Sequence, residues 1–101
     1  MKKEEKDKLI DSLINEVETS FGCVEHAQTY INEETGDYVE IEFDVREYLQ
    51  IAEFFKSDWA FLIAKDCDEY FKEKYNTQAI HAETDFDGES KFCICVDFAQ
   101  M

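Results

Sequence analysis

The chain of 101 residues contains no proline and only three glycines. Linkers rich in proline or glycine are therefore absent, and we expect residues 1–101 to form a single domain. The shortage of glycine also excludes the glycine-rich loops that bind phosphates in nucleotide-dependent enzymes, and the G-x-S-x-G turn of many hydrolases is missing. Because no catalytic motif is present, we predict no catalytic residues and no enzymatic activity.

Basic residues are few, since 10 Lys and Arg stand against 25 Asp and Glu, a net charge of −15. Proteins bind nucleic acid largely through Lys and Arg that neutralise phosphates, and anionic membranes attract basic segments in the same way. The charge balance therefore excludes nucleic acid and membranes as direct partners and indicates either a basic protein surface as the partner or no partner at all. Between Lys8 and Arg46 the sequence contains ten acidic residues and no basic one.

Long apolar runs are also missing. The longest, residues 59–64, has six residues, far below the roughly 20 that a membrane-spanning helix needs. The N-terminus mixes charges of both signs and has no apolar stretch after them, which is unlike a secretory signal. We therefore expect a cytoplasmic protein whose four cysteines are reduced thiols.

Two regions have apolar residues at helical spacing. Residues 3–21 place six of them on one stripe, which predicts a helix: Leu9, Ile10, Leu13, Ile14, Val17 and Phe21. Residues 44–75 predict a short helix near 46–55 and a longer one near 58–75, because a start signal precedes each. The core residues predicted for this second region are Leu49, Ala52, Phe55, Trp59, Ile63, Cys67, Tyr70 and Phe71.

Four segments have the pattern of strands. Apolar and polar residues alternate over 39–45 and again over 92–98, which predicts two strands that each bury one side. Residues 24–32 and 79–86 are compatible with strands, and a turn that contains glycine joins each of them to the strand that follows. The four strands therefore form two hairpins.

The two hairpins resemble each other, because residues 26–29 (HAQT) match residues 81–84 (HAET). Each hairpin follows a helical region, so the chain contains two helix-strand-strand units in the order α-β-β-α-α-β-β. We expect an α+β fold with a four-stranded, mainly antiparallel sheet and the helices on one of its faces. A ferredoxin-like sheet whose first strand has moved to the chain end would have this order of elements.

The sheet face away from the helices is predicted to be acidic. If the apolar sides of the strands contact the helices, the two-residue period turns the other side chains outward. The outward set then comprises His26, Gln28, Tyr30, Glu40, Glu42, Asp44, His81, Glu83, Asp85, Cys93, Cys95 and Asp97. From this face and the acidic turn of the first hairpin we select nine candidate partner-binding residues: Glu33, Glu34, Asp37, Glu40, Glu42, Asp44, Glu83, Asp85 and Asp97.

Thiols and a histidine on the same face raise the question of a metal. In one register of the second hairpin, His81 lies opposite Cys95 and Glu83 opposite Cys93, a set of groups that can bind zinc. The sequence contains neither the C-x-x-C nor the H-x-x-H pair of strong zinc signatures. We therefore predict no metal and no cofactor. A catalytic thiolate–imidazole pair would use the same residues, but they also fit the exposed side of a strand without any chemistry.

An acidic sheet face favours a non-catalytic inhibitor that occupies the basic nucleic-acid site of a target enzyme, with association accelerated by electrostatic steering. In size, charge and absence of motifs, the chain resembles the small acidic inhibitors of phages and mobile elements. Anti-restriction and anti-CRISPR proteins that mimic nucleic acid belong to that class. The resemblance implies a phage protein acting in the host-cell cytoplasm. We expect a monomer or a dimer.

Two alternatives stay open. An immunity protein or antitoxin that neutralises a basic nuclease toxin needs the same acidic surface. A homo-oligomeric assembly protein would instead bury the sheet face against a second copy, which opposes like charges and is therefore costly.

Overall fold

The computed structural model describes residues 2–22, 24–32, 34–45, 56–84 and 91–101, with the backbone alone for 56–59. Its elements follow the order α-β-β-α-β-β: α1 (Lys3–Ser20), β1 (Val24–Ile31), β2 (Tyr38–Val45), α2 (Lys56–Lys74), β3 (Ile80–Thr84) and β4 (Lys91–Asp97), followed by a short 3₁₀ helix, Phe98–Gln100. The predicted α+β class is confirmed. The short helix expected near 46–55 falls outside the described residues.

The four strands form one open antiparallel sheet in the order β1-β2-β4-β3. Each hairpin pairs internally, and β2 pairs with β4 across the middle of the sheet. This central pairing joins the two hairpins, so β1 and β3 are the edge strands. A permuted ferredoxin-like arrangement stays a prediction.

Helix α1 contacts the sheet through the stripe that the sequence predicts. Ile10, Leu13 and Val17 are buried, and Leu9, Ile14 and Phe21 pack against the same core from its margin. The helix ends where the backbone of Phe21 becomes extended, while its N–H still donates to the carbonyl of Val17 at 3.0 Å.

Helix α2 packs on the same face of the sheet as α1. Ala60, Ile63, Ala64, Cys67 and Phe71 are buried with the apolar side of the strands. No helix among the described residues is long and apolar enough to cross a membrane.

Tyr70 was predicted to lie in the core, and this prediction is wrong. Its side chain is 53% exposed, because the neighbouring Phe71 takes the inward position on the helix. The Tyr70 ring meets the Phe71 ring edge-on at 5.2 Å, and the Lys74 ammonium lies 5.8 Å from the Tyr70 ring centre. Tyr70 therefore borders the core and forms a cation–π contact at the surface.

The core under the sheet is centred on the β2–β4 pair. Phe43 and Phe92 lie directly opposite each other and stack with ring centres 5.1 Å apart. Both are fully buried, as are Ile41 and Ile94 two residues along each strand. The alternation predicted for these two strands is confirmed, with one side in the core and the other away from the helices.

Strand β1 departs from strict alternation at a bulge. His26 pairs with Phe43 and Gln28 with Glu42, so β1 contains one extra residue, Ala27, between them. Because opposite residues share a face, His26 lies on the helix side, where its ring meets Phe43 edge-on at 5.9 Å. The prediction that His26 points outward is therefore wrong.

Candidate functional site

The outer face is the side of the sheet that faces away from α1 and α2. The strand register assigns residues to it, because side chains directly opposite each other lie on one face and alternate with the buried ones. It confirms the outward positions predicted for the acidic residues of β2, for His81 and Glu83, and for both cysteines of β4. The full set is Glu25, Gln28, Tyr30, Tyr38, Glu40, Glu42, Asp44, His81, Glu83, Lys91, Cys93, Cys95 and Asp97.

Three consecutive outward positions of β2 carry carboxylates, namely Glu40, Glu42 and Asp44. Alternate residues of a strand are roughly 6.6–7 Å apart, so the three charges form a regular acidic row. All three are half-buried.

Lys91 of β4 lies at one end of the acidic row. Its ammonium is 3.6 Å from a carboxylate oxygen of Glu42 and 4.0 Å from one of Asp44. At the other end, no Lys or Arg of the described residues lies within ion-pair distance of Glu40. The negative charge of the row is therefore least compensated at Glu40, near the middle of the sheet.

The turn of the first hairpin contributes less uncompensated negative charge to the surface than its acidic sequence suggests. Glu34 is exposed, but the carboxylate of Asp37 accepts a hydrogen bond from the ammonium of Lys6 at 2.8 Å. The Lys6 side chain also lies 5.6 Å from the ring centre of Phe98. Asp37 thus links the turn to α1, and its charge is balanced locally.

The remaining predicted partner-binding residues divide into two groups. Asp97 lies opposite Tyr38 on the outer face, and one of its carboxylate oxygens accepts the Ala99 N–H at 3.1 Å. That hydrogen bond caps the 3₁₀ helix at its start. Glu33 and Asp85 fall outside the described residues.

Charge is divided unequally between the helices and the rest of the chain. Helices α1 and α2 contain eleven acidic and seven basic residues, a net charge of −4. All other residues together contain fourteen acidic and three basic ones, a net charge of −11. Residues outside α1 and α2 therefore carry most of the net negative charge of the sequence.

Chemically diverse groups meet where β3 pairs with β4. His81 lies opposite Cys95 and Glu83 opposite Cys93, which is the register considered from the sequence. Donor atoms of His81, Glu83 and Cys95 all lie within 4.8 Å of one another. The thiol of Cys95 donates to a carboxylate oxygen of Glu83 at 3.9 Å, and Cys95 has no exposed surface.

The two thiols of β4 are protonated at neutral pH. Burial raises the pKa of Cys95 to about 11, and the charge of Glu83 adds to that effect. Burial also raises the pKa of Cys93 to about 12, with further contributions from Cys95 and Glu42. Because the thiolate is the reactive form of cysteine, both side chains are weak nucleophiles at neutral pH.

Tyr38 is a member of this face that the sequence analysis missed. A hydrogen bond to Cys95, together with burial, raises the pKa of its hydroxyl above the usual value. Because the thiol of Cys95 donates its hydrogen to Glu83, the Tyr38 hydroxyl is the donor in this hydrogen bond. Its place was readable from the alternation of β2, which extends one position before Val39.

The outer face thus combines an acidic row in β2 with a group of imidazole, carboxylate and thiol donors between β3 and β4. Such a face can attract a basic macromolecule by its charge or hold a cation by its donor atoms. Comparisons of the chain with protein-family models, with curated proteins and with solved structures give no match.

Proposed function

We propose that this protein is a non-catalytic, acidic binding protein whose outer face occupies the nucleic-acid site of a basic partner enzyme. The observation that carries the proposal is the acidic row of Glu40, Glu42 and Asp44 on the face that no described helix contacts. A regular line of carboxylates on a strand offers a basic channel the same sign and periodic character of charge as a phosphate backbone. The cytoplasm is the proposed place of action.

The unequal distribution of charge supports this proposal. Acidic residues that serve solubility alone have no reason to lie on one face, because any exposed position raises the net charge equally. Here Glu40, Glu42 and Asp44 occupy successive outward positions of one strand, and the residues outside α1 and α2 carry a net charge of −11 against −4 within them. Self-repulsion among these groups destabilises the compact state, so a gain on binding is a physical reason to retain them.

Electrostatics of this kind acts mainly on the rate of association. Complementary potentials raise association rates well above those of neutral pairs, and salt reduces the effect. The proposed complex should therefore form quickly at low ionic strength and more slowly as salt is added.

The test compares two variants of equal net charge. The face variant carries Glu40→Gln, Glu42→Gln and Asp44→Asn, and the control removes three exposed carboxylates of α1 through Glu4→Gln, Glu5→Gln and Asp11→Asn. Each variant and the unchanged protein serve as bait in a cell lysate. Bound proteins are eluted first with duplex DNA or RNA and then with salt.

We expect the unchanged protein and the α1 variant to retain the same nucleic-acid-binding protein, and nucleic acid to release it. The face variant should lose at least about tenfold in retention, since a few charge contacts of roughly 0.5 kcal/mol each reach that factor. Equal loss in both variants, or retention that nucleic acid cannot displace, would refute the proposal. Recovery of a toxin nuclease would assign the same surface to an immunity protein.

A further inference from the structure

We propose that His81, Glu83 and Cys95 form a binding site for one Zn²⁺ ion on the outer face. The three side chains supply a nitrogen, an oxygen and a sulfur donor, all within 4.8 Å of one another. Zinc is the common biological ion that accepts all three donor types in a single site. This inference does not depend on the proposed partner.

The sheet holds the three donors in place before any ion arrives. His81 and Cys95 are directly opposite each other in neighbouring strands, and Glu83 follows His81 on the same face of β3. In a tetrahedral zinc site the donor atoms are about 3.5 Å apart, given bond lengths of roughly 2.0 Å to nitrogen and 2.3 Å to sulfur. The donors therefore need to approach each other by about 1 Å, which side-chain rotation can supply without moving the strands.

The surroundings of the site favour a cation. Glu40 lies directly opposite Cys95 on the other side of β4. Within the described part of the chain, no Lys or Arg forms an ion pair with Glu40 or Glu83. A bound divalent ion would offset these two carboxylates and the thiolate that forms when the Cys95 proton leaves.

The surrounding groups also orient the ligands. The Tyr38 hydroxyl donates a hydrogen bond to the sulfur of Cys95, which helps to hold its position. Cys95 is fully buried, whereas Glu83 is exposed and His81 half-buried. The site is therefore closed to solvent on the side of the Cys95 sulfur and open on the side of Glu83. With three ligands from the protein, the fourth coordination position of the ion faces solvent or an incoming donor group.

The usual zinc signatures are missing from the sequence, and on that ground no metal is predicted from the sequence alone. Those signatures describe ligands that are close along the chain. In this site the contact between His81 and Cys95 comes from strand pairing, fourteen positions apart in sequence.

The experiment titrates the chelator-treated full chain with zinc chloride in competition with a chromophoric chelator. Cobalt chloride is used in parallel, because a Co²⁺–thiolate bond gives a charge-transfer absorption band. The variants are His81→Gln and Cys95→Ser, with His26→Gln as the matched control, since His26 lies on the opposite face of the sheet. Circular dichroism checks that each variant folds.

We expect one Zn²⁺ per chain and a cobalt–thiolate band in the unchanged protein. His81→Gln and Cys95→Ser should each weaken zinc binding by at least about a hundredfold, beyond the loss typical for a supporting residue, and His26→Gln should have no effect. Excess Mg²⁺ should not displace the zinc, because magnesium disfavours nitrogen and sulfur donors.

Several results would overturn the site. These are the absence of stoichiometric binding, zinc affinity unchanged in His81→Gln, or displacement by Mg²⁺, which would indicate general attraction to the acidic face. If Cys95→Ser does not fold, the cobalt band of the unchanged protein and the His81→Gln titration still decide the question. Loss of zinc binding with an intact acidic-row interaction would leave the proposed function standing, and the reverse result would leave the metal site standing.

Discussion

The two hairpins share a short sequence pattern, but its histidine lies on a different face of the sheet in each hairpin. Residues 26–29 in β1 and 81–84 in β3 share the pattern H-A-x-T. His26 faces the helices and touches Phe43, whereas His81 lies on the outer face opposite Cys95. One extra residue in β1, Ala27, accounts for the difference.

The bulge changes what each histidine can contact. In a regular strand, residues three apart point to opposite faces, so His81 and Thr84 are separated. In β1 the bulge brings residues three apart onto one face, and the His26 ring is 2.8 Å from the Thr29 hydroxyl. A single inserted residue thus decides whether the imidazole supports the core or joins the donors of the outer face.

Deleting one alanine from each hairpin should give the largest contrast. Removal of Ala82 from the regular strand β3 moves the residues either before or after the deletion to the opposite face of the sheet. This shift exposes Ile80 or places Glu83 toward the core. We expect unfolding or a loss of at least about 3 kcal/mol in the free energy of unfolding. Removal of Ala27 leaves both flanks of the bulge on their present faces, so we expect a loss below about 1 kcal/mol.

Urea unfolding followed by circular dichroism measures both deletions. Equal losses in the free energy of unfolding for the two deletions would contradict this expectation, because they would mean that the bulge is required for the fold. An Ala82 deletion that leaves the free energy of unfolding unchanged would contradict it as well.

The bulge explains why sequence reasoning succeeded for two strands and failed for part of a third. In β2 and β4, large apolar residues such as Phe43 and Ile94 alternate with charged or polar ones, so the buried side is unambiguous. In β1 the segment around Ala27 consists of small and polar residues that fit either face. Nothing local marks the extra residue, because its position is determined by pairing with β2.

Long-range pairing limits the prediction of the candidate site in a similar way. The outward positions of Glu40 and Glu42 follow from local alternation alone. To predict the neighbours of Cys95, one needs the strand register within the second hairpin and the order of the two hairpins in the sheet. A short turn constrains the register but does not constrain the order. The position of Glu40 opposite Cys95 depends on that order, so it could not be predicted from the sequence.

The two edge strands, β1 and β3, can also be compared by the hydrogen bonds that they form with the helices. In each edge strand, a helical carboxylate accepts a backbone N–H from one residue of the shared H-A pair. Asp68 of α2 accepts the Ala82 N–H at 2.8 Å, and Glu18 of α1 accepts the His26 N–H at 3.3 Å in a more exposed place. Both contacts occupy N–H groups that would otherwise offer a pairing edge to another strand.

Removing these two carboxylates should give unequal effects. Asp68→Ala leaves a partly buried N–H without its acceptor and also breaks the ion pair with Lys72, so we expect a loss of about 1–2 kcal/mol in the free energy of unfolding. Glu18→Ala should cost below about 0.5 kcal/mol, because water can replace an exposed acceptor. Chemical denaturation of both variants measures the difference, and equal losses would contradict it.

The two histidines should differ by a smaller amount. His26→Ala removes an edge-on ring contact with Phe43 and the Thr29 hydrogen bond, for an expected loss of about 1 kcal/mol. His81→Ala in the metal-free protein should change stability by less than about 0.5 kcal/mol, since His81 has no comparable packing on the core face. Thermal unfolding in the presence of a chelator makes the comparison, and a larger loss for His81→Ala would reverse the assignment of structural and ligand roles.

The smallest expected effect concerns the chemistry of the second hairpin and leaves its fold unchanged. The pKa of Cys93 is raised to about 12 by burial and then by the charges of Cys95 and Glu42, so the thiolate fraction at pH 8 is lower than in an unfolded chain. Alkylation of Cys93 by iodoacetamide should therefore be slow at pH 8 and accelerate as the pH rises toward the raised pKa.

Glu42→Gln should increase the alkylation rate of Cys93 at pH 8, because the charge of Glu42 is one of the causes that raise the pKa of this thiol. Glu5→Gln, on the exposed surface of α1, should not change that rate. Peptide mapping by mass spectrometry identifies the modified cysteine. A rate for Cys93 that Glu42→Gln leaves unchanged would mean that the carboxylates of the acidic row do not act on this thiol of β4. In that case, the field that we invoke both for binding a basic partner and for attracting a cation would be too weak to serve either role.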